Sequence, residues 1–309
     1  MHLLHAFDEL AQHARNVCLA IGVFDGVHLG HQRVISQARD DAKASDGLSV
    51  ALTFDPHPIR VLRPDQAPLL LTSTAHKLTL IDQLGVDACL VLTFDKPFSE
   101  TPAETFVARV ADRRNQLREI CVGSRFRFGH ERDGDVRLLQ KLAPQFGYDL
   151  KEIKPVLTSD GEMISSTSVR QHVLAGNLER AAAMLGRPFS VLGSVEKGDG
   201  RGHKLGFPTA NLDPHNEVLP PNGVYAVRVL HGGQRFGGVV NIGIRPTFES
   251  RDHRRVLEVH IIEFAREIYG EQVEIMFLAK LRDEQLFESA DALKRQIAAD
   301  IRAARRLFG

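Results

Sequence analysis

The sequence predicts an α/β protein in two parts: a parallel sheet covered by helices, then a small antiparallel β-barrel with a closing helix. Three observations carry this. From Val17 to about Gly186, short apolar runs alternate with segments of helical period, the pattern of a parallel sheet with helices on both faces. Beyond Leu185-Gly186-Arg187-Pro188 the pattern turns to strands separated by Gly/Pro turns, as in a small barrel. A chain of 309 residues also has room for two cores, at about 150 residues per domain. The expected domains are 1–186 and 187–309.

In the first part the expected strands are 17–23, 48–54, 88–94, 119–123 and 148–156, with helices at 31–44, 73–84, 102–112, 134–146 and 166–185. Thr101-Pro102 with Glu104, and Ser73 before Thr74, are helix-starting signals. In the second part the expected strands are 189–196, 223–230, 235–242, 255–264 and 272–281, alternation being clearest from Leu257 to Phe264. A closing helix is expected from about Asp283, with Leu286, Ala290, Leu293, Ile297, Ile301 and Phe308 as its apolar face. Its acidic start, Asp283 and Glu284, and basic end, Arg302, Arg305 and Arg306, suit the helix dipole.

Composition narrows the function. Hydrophobic content of 43% and charged content of 25% are ordinary for a globular protein. Lys+Arg and Asp+Glu both number 39, so nucleic acid and anionic membranes are not expected partners. No apolar run approaches the roughly 20 residues of a membrane span, and no secretory signal opens the chain. Cys18, Cys89 and Cys121 sit in separate apolar runs without metal-ligand spacing, which fits buried thiols and a cytoplasmic location.

The first chemical motif is Gly22-Val23-Phe24-Asp25-Gly26-Val27-His28-Leu29-Gly30-His31, between an apolar strand and a helix. Its glycines permit close backbone approach to a ligand, and a new helix presents free N–H groups there. His28 and His31, one turn apart, would share a face and serve a phosphate chain gaining negative charge. No Gly-Lys-Ser/Thr follows, so this is not a Walker loop. Thr53-Phe54-Asp55-Pro56-His57-Pro58 leaves the next strand as a proline-stiffened turn, a wall against which a planar ligand would lie. Ile164-Ser165-Ser166-Thr167-Ser168-Val169-Arg170 opens a helix, where hydroxyls, N–H groups and a guanidinium would converge on polyphosphate. In the second part, residues 198–211 form a glycine-rich loop that ends in a proline corner, with Thr209 and Asn211 suited to a hard cation and its phosphates. Glu258 points away from the core between Leu257 and Val259.

The first of these motifs resembles the His-x-Gly-His signature of the nucleotidyltransferase superfamily, in the form found in bacterial bifunctional riboflavin kinase/FMN adenylyltransferases (FAD synthetases). Ile164–Arg170 resembles the second superfamily signature. Gly202-His203-Lys204-Leu205-Gly206-Phe207-Pro208-Thr209-Ala210-Asn211 resembles the riboflavin kinase signature. Pro221–Tyr225, Asn241-Ile242-Gly243-x-Arg245-Pro246-Thr247, Glu258–His260 and Leu281–Glu284 with Phe287 extend that likeness over nearly the whole chain. The resemblance implies a Rossmann-like nucleotidyltransferase domain followed by a β-barrel riboflavin kinase domain. It implies a kinase that makes FMN from riboflavin and Mg²⁺-ATP, and an adenylyltransferase that makes FAD from FMN and ATP. In the adenylyltransferase it implies ATP contacts from Gly22, Phe24, Asp25, Gly26, His28, His31, Ser165, Ser166, Thr167 and Arg170, and flavin contacts from Phe54, His57, Pro58, Phe126 and Phe128. In the kinase it implies ATP contacts from Gly198, Gly202, Lys204, Gly206, Pro208, Thr209 and Asn211, with Mg²⁺ on Thr209 and Asn211. Glu258 would be the general base, and Arg282, Glu284 and Phe287 would join it at the flavin. One position departs from the pattern: Arg125 stands where the resemblance leads to Asp. A kinase with an impaired adenylyltransferase domain is therefore an alternative, and a non-catalytic flavin sensor on the same scaffold is another.

Overall fold

A computed structural model describes residues 1–13, 16–197, 206–244 and 255–308. The chain divides into two compact units, one of residues 1–69 and 74–166, the other of residues 70–73 and 167–309.

In the first unit, β1 (His2–Leu4), β2 (Val17–Ile21), β3 (Leu48–Asp55), β4 (Ala88–Thr93) and β5 (Leu117–Gly123) alternate with helices. A short hairpin, β6 (Arg127–Phe128) and β7 (Gly134–Asp135), precedes β8 (Asp149–Ile153). The main sheet has the order β1-β4-β3-β2-β5-β8, and all its pairings are parallel. Strand period places successive residues on opposite faces. Val17, Leu19 and Ile21 of β2 join one core and Cys18 and Ala20 the other. The second core is closed by Val34, Ile35, Ala38 and Ala42 of a long helix, Leu29–Ala44, together with Leu80 and Ile81. The first takes Phe106, Val107 and Leu139. All three cysteines are free and buried, as expected.

The chain turns outward from β2 in both directions: β3 lies on one side of it and β5 on the other. This is a topological switch point, where such sheets open a crevice beyond the strand ends. The Gly22–His31 turn leaves β2 there.

At β5 the fold buries an acid. Glu119 is 5% exposed; Cys121 Sγ donates to its Oε1 at 3.1 Å, and Lys151 Nζ lies 3.9 Å from its Oε2. Burial, and then a hydrogen bond with Asp41, push its pKa from 4.5 up to about 7. Between those values the native state holds a proton that the unfolded chain has released, so this group's contribution to stability falls as pH rises through the window. Glu119→Gln is therefore expected to become more favourable relative to wild type from pH 5 to pH 8, with a ceiling of about 3 kcal/mol. Thermal unfolding of both proteins across that range is the check; a difference independent of pH would contradict it.

In the second unit β9 (Ser190–Glu196), β10 (Ala210–Pro214), β11 (Gly223–His231), β12 (Gln234–Ile244), β13 (Arg255–Ile261) and β14 (Gln272–Arg282) close into a barrel of order β10-β13-β12-β11-β14-β9. Every pairing is antiparallel.

The helical stretch 166–185 is two helices, Ser166–Leu174 and Leu178–Leu185, parted where Gly176 turns the chain at φ 80°. Three local expectations are corrected. The closing helix begins at Ala290 and not near Asp283. Ser289 caps it by accepting from Ala292 N at 3.2 Å, whereas the Asp283 carboxylate is taken by Lys280 at 2.5 Å. Asp291 supplies its acidic first turn, and Leu286 is fully exposed. The proline turn after β3 continues into a short helix, Pro58–Leu62, capped by His57. Residues 210–214, read as the end of a loop, are a strand held by β9 and β13.

Candidate active sites

Backbone strain marks the turn after β2. Phe24 and Val27 have φ of 55° and 41°, and Gly26 of 80°; such conformations cost a non-glycine residue about 1–3 kcal/mol and persist where neighbours fix them. Here alternate carbonyls are tied down by side chains. Val23 O accepts from Thr53 Oγ1 at 3.0 Å and from Lys77 Nζ at 3.2 Å. Asp25 O accepts from Ser166 Oγ at 2.9 Å, and Val27 O from Gln32 Nε2 at 2.9 Å. Gly22 leaves room for the Phe24 ring: a Cβ there would lie 2.5 Å from it.

His28 is the N-cap of the Leu29–Ala44 helix, its Nδ1 accepting from His31 N at 3.3 Å. The His28 and His31 rings stack, with centroids 3.6 Å apart and planes 19° apart. The edge of Phe24 meets His31 at 5.4 Å. Burial first, then the neighbouring His28, then Lys77, hold the His31 pKa well below the usual histidine range. His31 Nδ1 is enclosed and has no hydrogen-bond partner among the described residues. The sixteen-residue helix also offers its positive N-terminal end at this point. Imidazoles, helix N-terminus and a rigid turn meet at a corner suited to an anion. Ser165 and Ser166 lie in the same unit, while the division between units falls just before Thr167, on whose side Arg170 also lies.

The first unit also contains a cavity of about 560 Å³, lined by Ile59, Leu62, Phe94, Phe98 and Phe106 together with Lys96, His130 and Arg132. That size suits a drug-sized planar ligand. Of the residues expected at the flavin, Phe54 stands behind the lining, 5.8 Å from the Phe94 ring and 6.0 Å from Phe98. Phe128 backs Phe106 at 5.6 Å and stacks with Phe126 at 5.3 Å. His57 and Pro58 begin the helix that supplies Ile59 and Leu62. Sequence reasoning missed Phe94, Phe98 and Phe106; the Phe94/Phe98 pair just after β4 was the available signal. Arg125 is exposed, and Arg127 pairs with Asp135 at 3.0 Å.

In the barrel, strand register assembles the second site. Glu258 on β13 is paired with Asn211 on β10 and with Asn241 on β12. Asn241 is opposite Val224, which is opposite Arg282. Paired residues share a face, so Asn211, Glu258, Asn241 and Arg282 belong to one row. Leu257 and Val259, at 0% and 1% exposure, fill the interior, and Glu258 is half-buried on the other face. Asn211 Oδ1 is enclosed with no partner among the described residues. An orphaned carbonyl oxygen beside a carboxylate is a fitting donor set for a hard cation. His260 holds the approach to this row: its Nδ1 lies 2.8 Å from Pro208 O, and its ring meets Phe207 at 5.9 Å. Thr209 is exposed, and Gly206 has φ of 84°.

Arg282 is fixed by the buried Asp300, Nε to both carboxylate oxygens at 3.1 Å and Nη2 at 2.9 Å. Its guanidinium lies 5.6 Å from the Phe287 ring centroid. Glu284 accepts from Asn222 Nδ2 at 3.2 Å and lies over Gly243, where a Cβ would come within 2.3 Å of its Oε1. Gly198, Gly202 and Lys204, and the Arg245-Pro246-Thr247 string, lie outside the described residues. The place of Asn241 beside Glu258 comes from strand register.

Known proteins match this chain along its length. The family model for FAD synthetase matches residues 10–168, and that for riboflavin kinase matches residues 185–308. An Escherichia coli (strain K12) protein named bifunctional riboflavin kinase/FMN adenylyltransferase is 38% identical over 311 residues, covering 100% of this chain and 98% of its own. A Buchnera aphidicola (subsp. Schizaphis graminum) protein of the same name is 36% identical over 309 residues, covering 100% and 99%. A solved structure described as a macrolide-efflux protein from Streptococcus pneumoniae superposes with a TM-score of 0.81 at 28% identity, over 98% of each chain. Among the described residues no helix is long and apolar enough to cross a membrane.

Proposed function

We propose, for a chain that belongs to the bifunctional riboflavin kinase/FMN adenylyltransferase family, which of its residues carry each of the two reactions. The chain phosphorylates riboflavin to FMN and adenylylates FMN to FAD, with riboflavin, FMN and ATP as substrates. The catalytic division falls at 186/187.

In the kinase, Glu258 takes the proton from the riboflavin 5′-hydroxyl as its oxygen attacks the γ-phosphorus of ATP, and ADP leaves. Thr209 and Asn211 hold Mg²⁺, which supplies charge neutralisation on the phosphates when bound. The orphaned Asn211 Oδ1 supports that assignment. Asn241 flanks Glu258 on the opposite side. Arg282, Glu284 and Phe287 serve the flavin, Arg282 being held in place by Asp300. Catalysis here is positioning and charge management rather than covalent chemistry.

In the adenylyltransferase, the FMN phosphate attacks the α-phosphorus of ATP and pyrophosphate leaves, with no covalent intermediate. His28 and His31 stabilise charge on the departing polyphosphate, and Ser165 and Ser166 stand at the neighbouring helix start. FMN is proposed to lie in the aromatic cavity of Phe94, Phe98 and Phe106. The stacked imidazole pair on a helix N-terminus at the switch point is the observation that carries this half. Three buried free thiols and the balanced charge support placement in the cytoplasm, without nucleic acid or membrane partners.

A time course with riboflavin, ATP and Mg²⁺, its flavins separated by chromatography, tests both assignments. FMN should rise and then fall as FAD accumulates. FMN alone would remove the adenylyltransferase assignments, and no product would remove both.

A further inference from the structure

The mechanism above leaves one buried charge unused. Lys77, on the helix Thr74–Asp82, is 6% exposed. Its ammonium makes three hydrogen bonds, to Val23 O at 3.2 Å, Thr53 Oγ1 at 3.1 Å and Phe54 O at 3.2 Å. All three acceptors are uncharged. Val23 begins the strained turn after β2, and Phe54 lies in the last residues of β3. One side chain thus joins the exits of the two strands that border the corner at His28 and His31.

We propose that Lys77 is a positioning residue of the adenylyl-transfer site: it fastens the exits of β2 and β3 to each other and lays a fixed positive charge beneath the turn that receives the phosphates. A buried ammonium with neutral partners is an expensive way to fill space, since a methionine of similar length would carry no desolvation penalty. The charge is useful only to something nearby that gains from it. Asp25 in the His28/His31 turn and Asp55 on β3 gain from it, and the field of Lys77 also reaches His31, where it favours the uncharged imidazole. Burial lowers the Lys77 pKa, and the groups facing it, Asp25 in the turn, Asp55 on β3 and Cys89 on β4, oppose that shift. Those facing His31 are His28 and Lys77 itself. An uncharged imidazole beneath a polyphosphate can donate one hydrogen bond while Lys77 supplies the charge. The strained Phe24 and Val27 need a fixed anchor, and Val23 O receives two donors to provide it.

This inference rests on the assignment of His28 and His31 above, and the two fail differently. If His28→Ala keeps FAD synthesis, that assignment falls. The Lys77 inference is read separately, from the His31 imidazole and from the pH profile. Lys77→Met is expected to lower the rate of FAD formation from FMN about 10²-fold, while riboflavin phosphorylation by the same protein stays unchanged. The His31 imidazole, followed by ¹⁵N NMR, should titrate at higher pH in this variant, and the acid limb of adenylyl transfer should move up with it. Thr53→Val removes one neutral partner and keeps the charge; it should leave both titrations in place with less than about a tenfold loss. An unchanged His31 titration and acid limb in Lys77→Met would reduce Lys77 to packing and overturn the proposal. Equal losses and equal shifts in Thr53→Val would overturn the role of the charge. Should Lys77→Met not fold, the Lys77 ¹⁵Nζ signal of the wild-type protein decides. An ammonium resonance that moves on adding pyrophosphate supports the proposal; a neutral amine or an unmoved signal refutes it.

Discussion

His28→Ala should lower FAD formation by about 10²- to 10³-fold, the usual cost of removing one donor that meets developing charge, and leave riboflavin phosphorylation intact. The stacked geometry makes this effect large. His28 is the helix cap, it accepts from His31 N, and its ring lies flat on His31 at 3.6 Å. Alanine removes a donor, a cap and the support of the second imidazole together. The cap contributes about 1 kcal/mol to stability, so folding is to be verified by thermal unfolding beside the kinetics. The kinase reaction lies in the other unit and serves as the internal standard. FMN and ATP should be supplied directly and FAD measured by chromatography; FAD synthesis near the wild-type rate would remove His28 from the reaction.

Glu258→Gln should do the reverse. FMN formation from riboflavin is expected to fall by about 10²- to 10⁴-fold, the range of a general base, while FAD still forms from added FMN. Glutamine keeps the shape and the register between Asn211 and Asn241 and removes only the basic oxygen. Stability should therefore change little, which separates this variant from one that disturbs the barrel. Single-turnover rates with riboflavin and Mg²⁺-ATP, beside FAD formation from FMN, give the comparison. Unimpaired FMN formation would shift the base to another group.

What could be read from the sequence follows from how local each feature is. The His28/His31 turn is contiguous, and its strand, glycines and helix start within fifteen residues. The alternation of Leu257, Glu258 and Val259 announces which way Glu258 points. The aromatic cavity is different, because Phe94, Phe98 and Phe106 meet Ile59 and Leu62 only after β3 and β4 have paired. Asn241 acquires its meaning from barrel register, which a single strand does not reveal. Lys77 looks like one more helical lysine until burial places it under the turn. The helix start at Ala290 was masked by a plausible acidic start seven residues earlier, whose Asp283 is engaged by Lys280.

The chain order of the second unit has a consequence for dissecting the protein. Residues 70–73 belong to that unit although they precede most of the first one's sequence. Leu71 is 1% exposed, and its carbonyl accepts from Asn216 Nδ2, which also binds Ser190 O at 3.3 Å. Leu70 N donates to Glu217 Oε2 at 2.7 Å, and Leu70 O accepts from the backbone of Glu217 and Val218. A gene cut at 186/187 would thus leave out two pieces of that unit, residues 70–73 and residues 167–186. Asn216, at 3% exposure, would lose an acceptor at a cost of about 1–3 kcal/mol. The apolar seat of Leu71 would stand open, forfeiting about 1.5–3 kcal/mol of burial. A free-standing kinase therefore needs residues 70–73 supplied again, together with the chain from 167 onward.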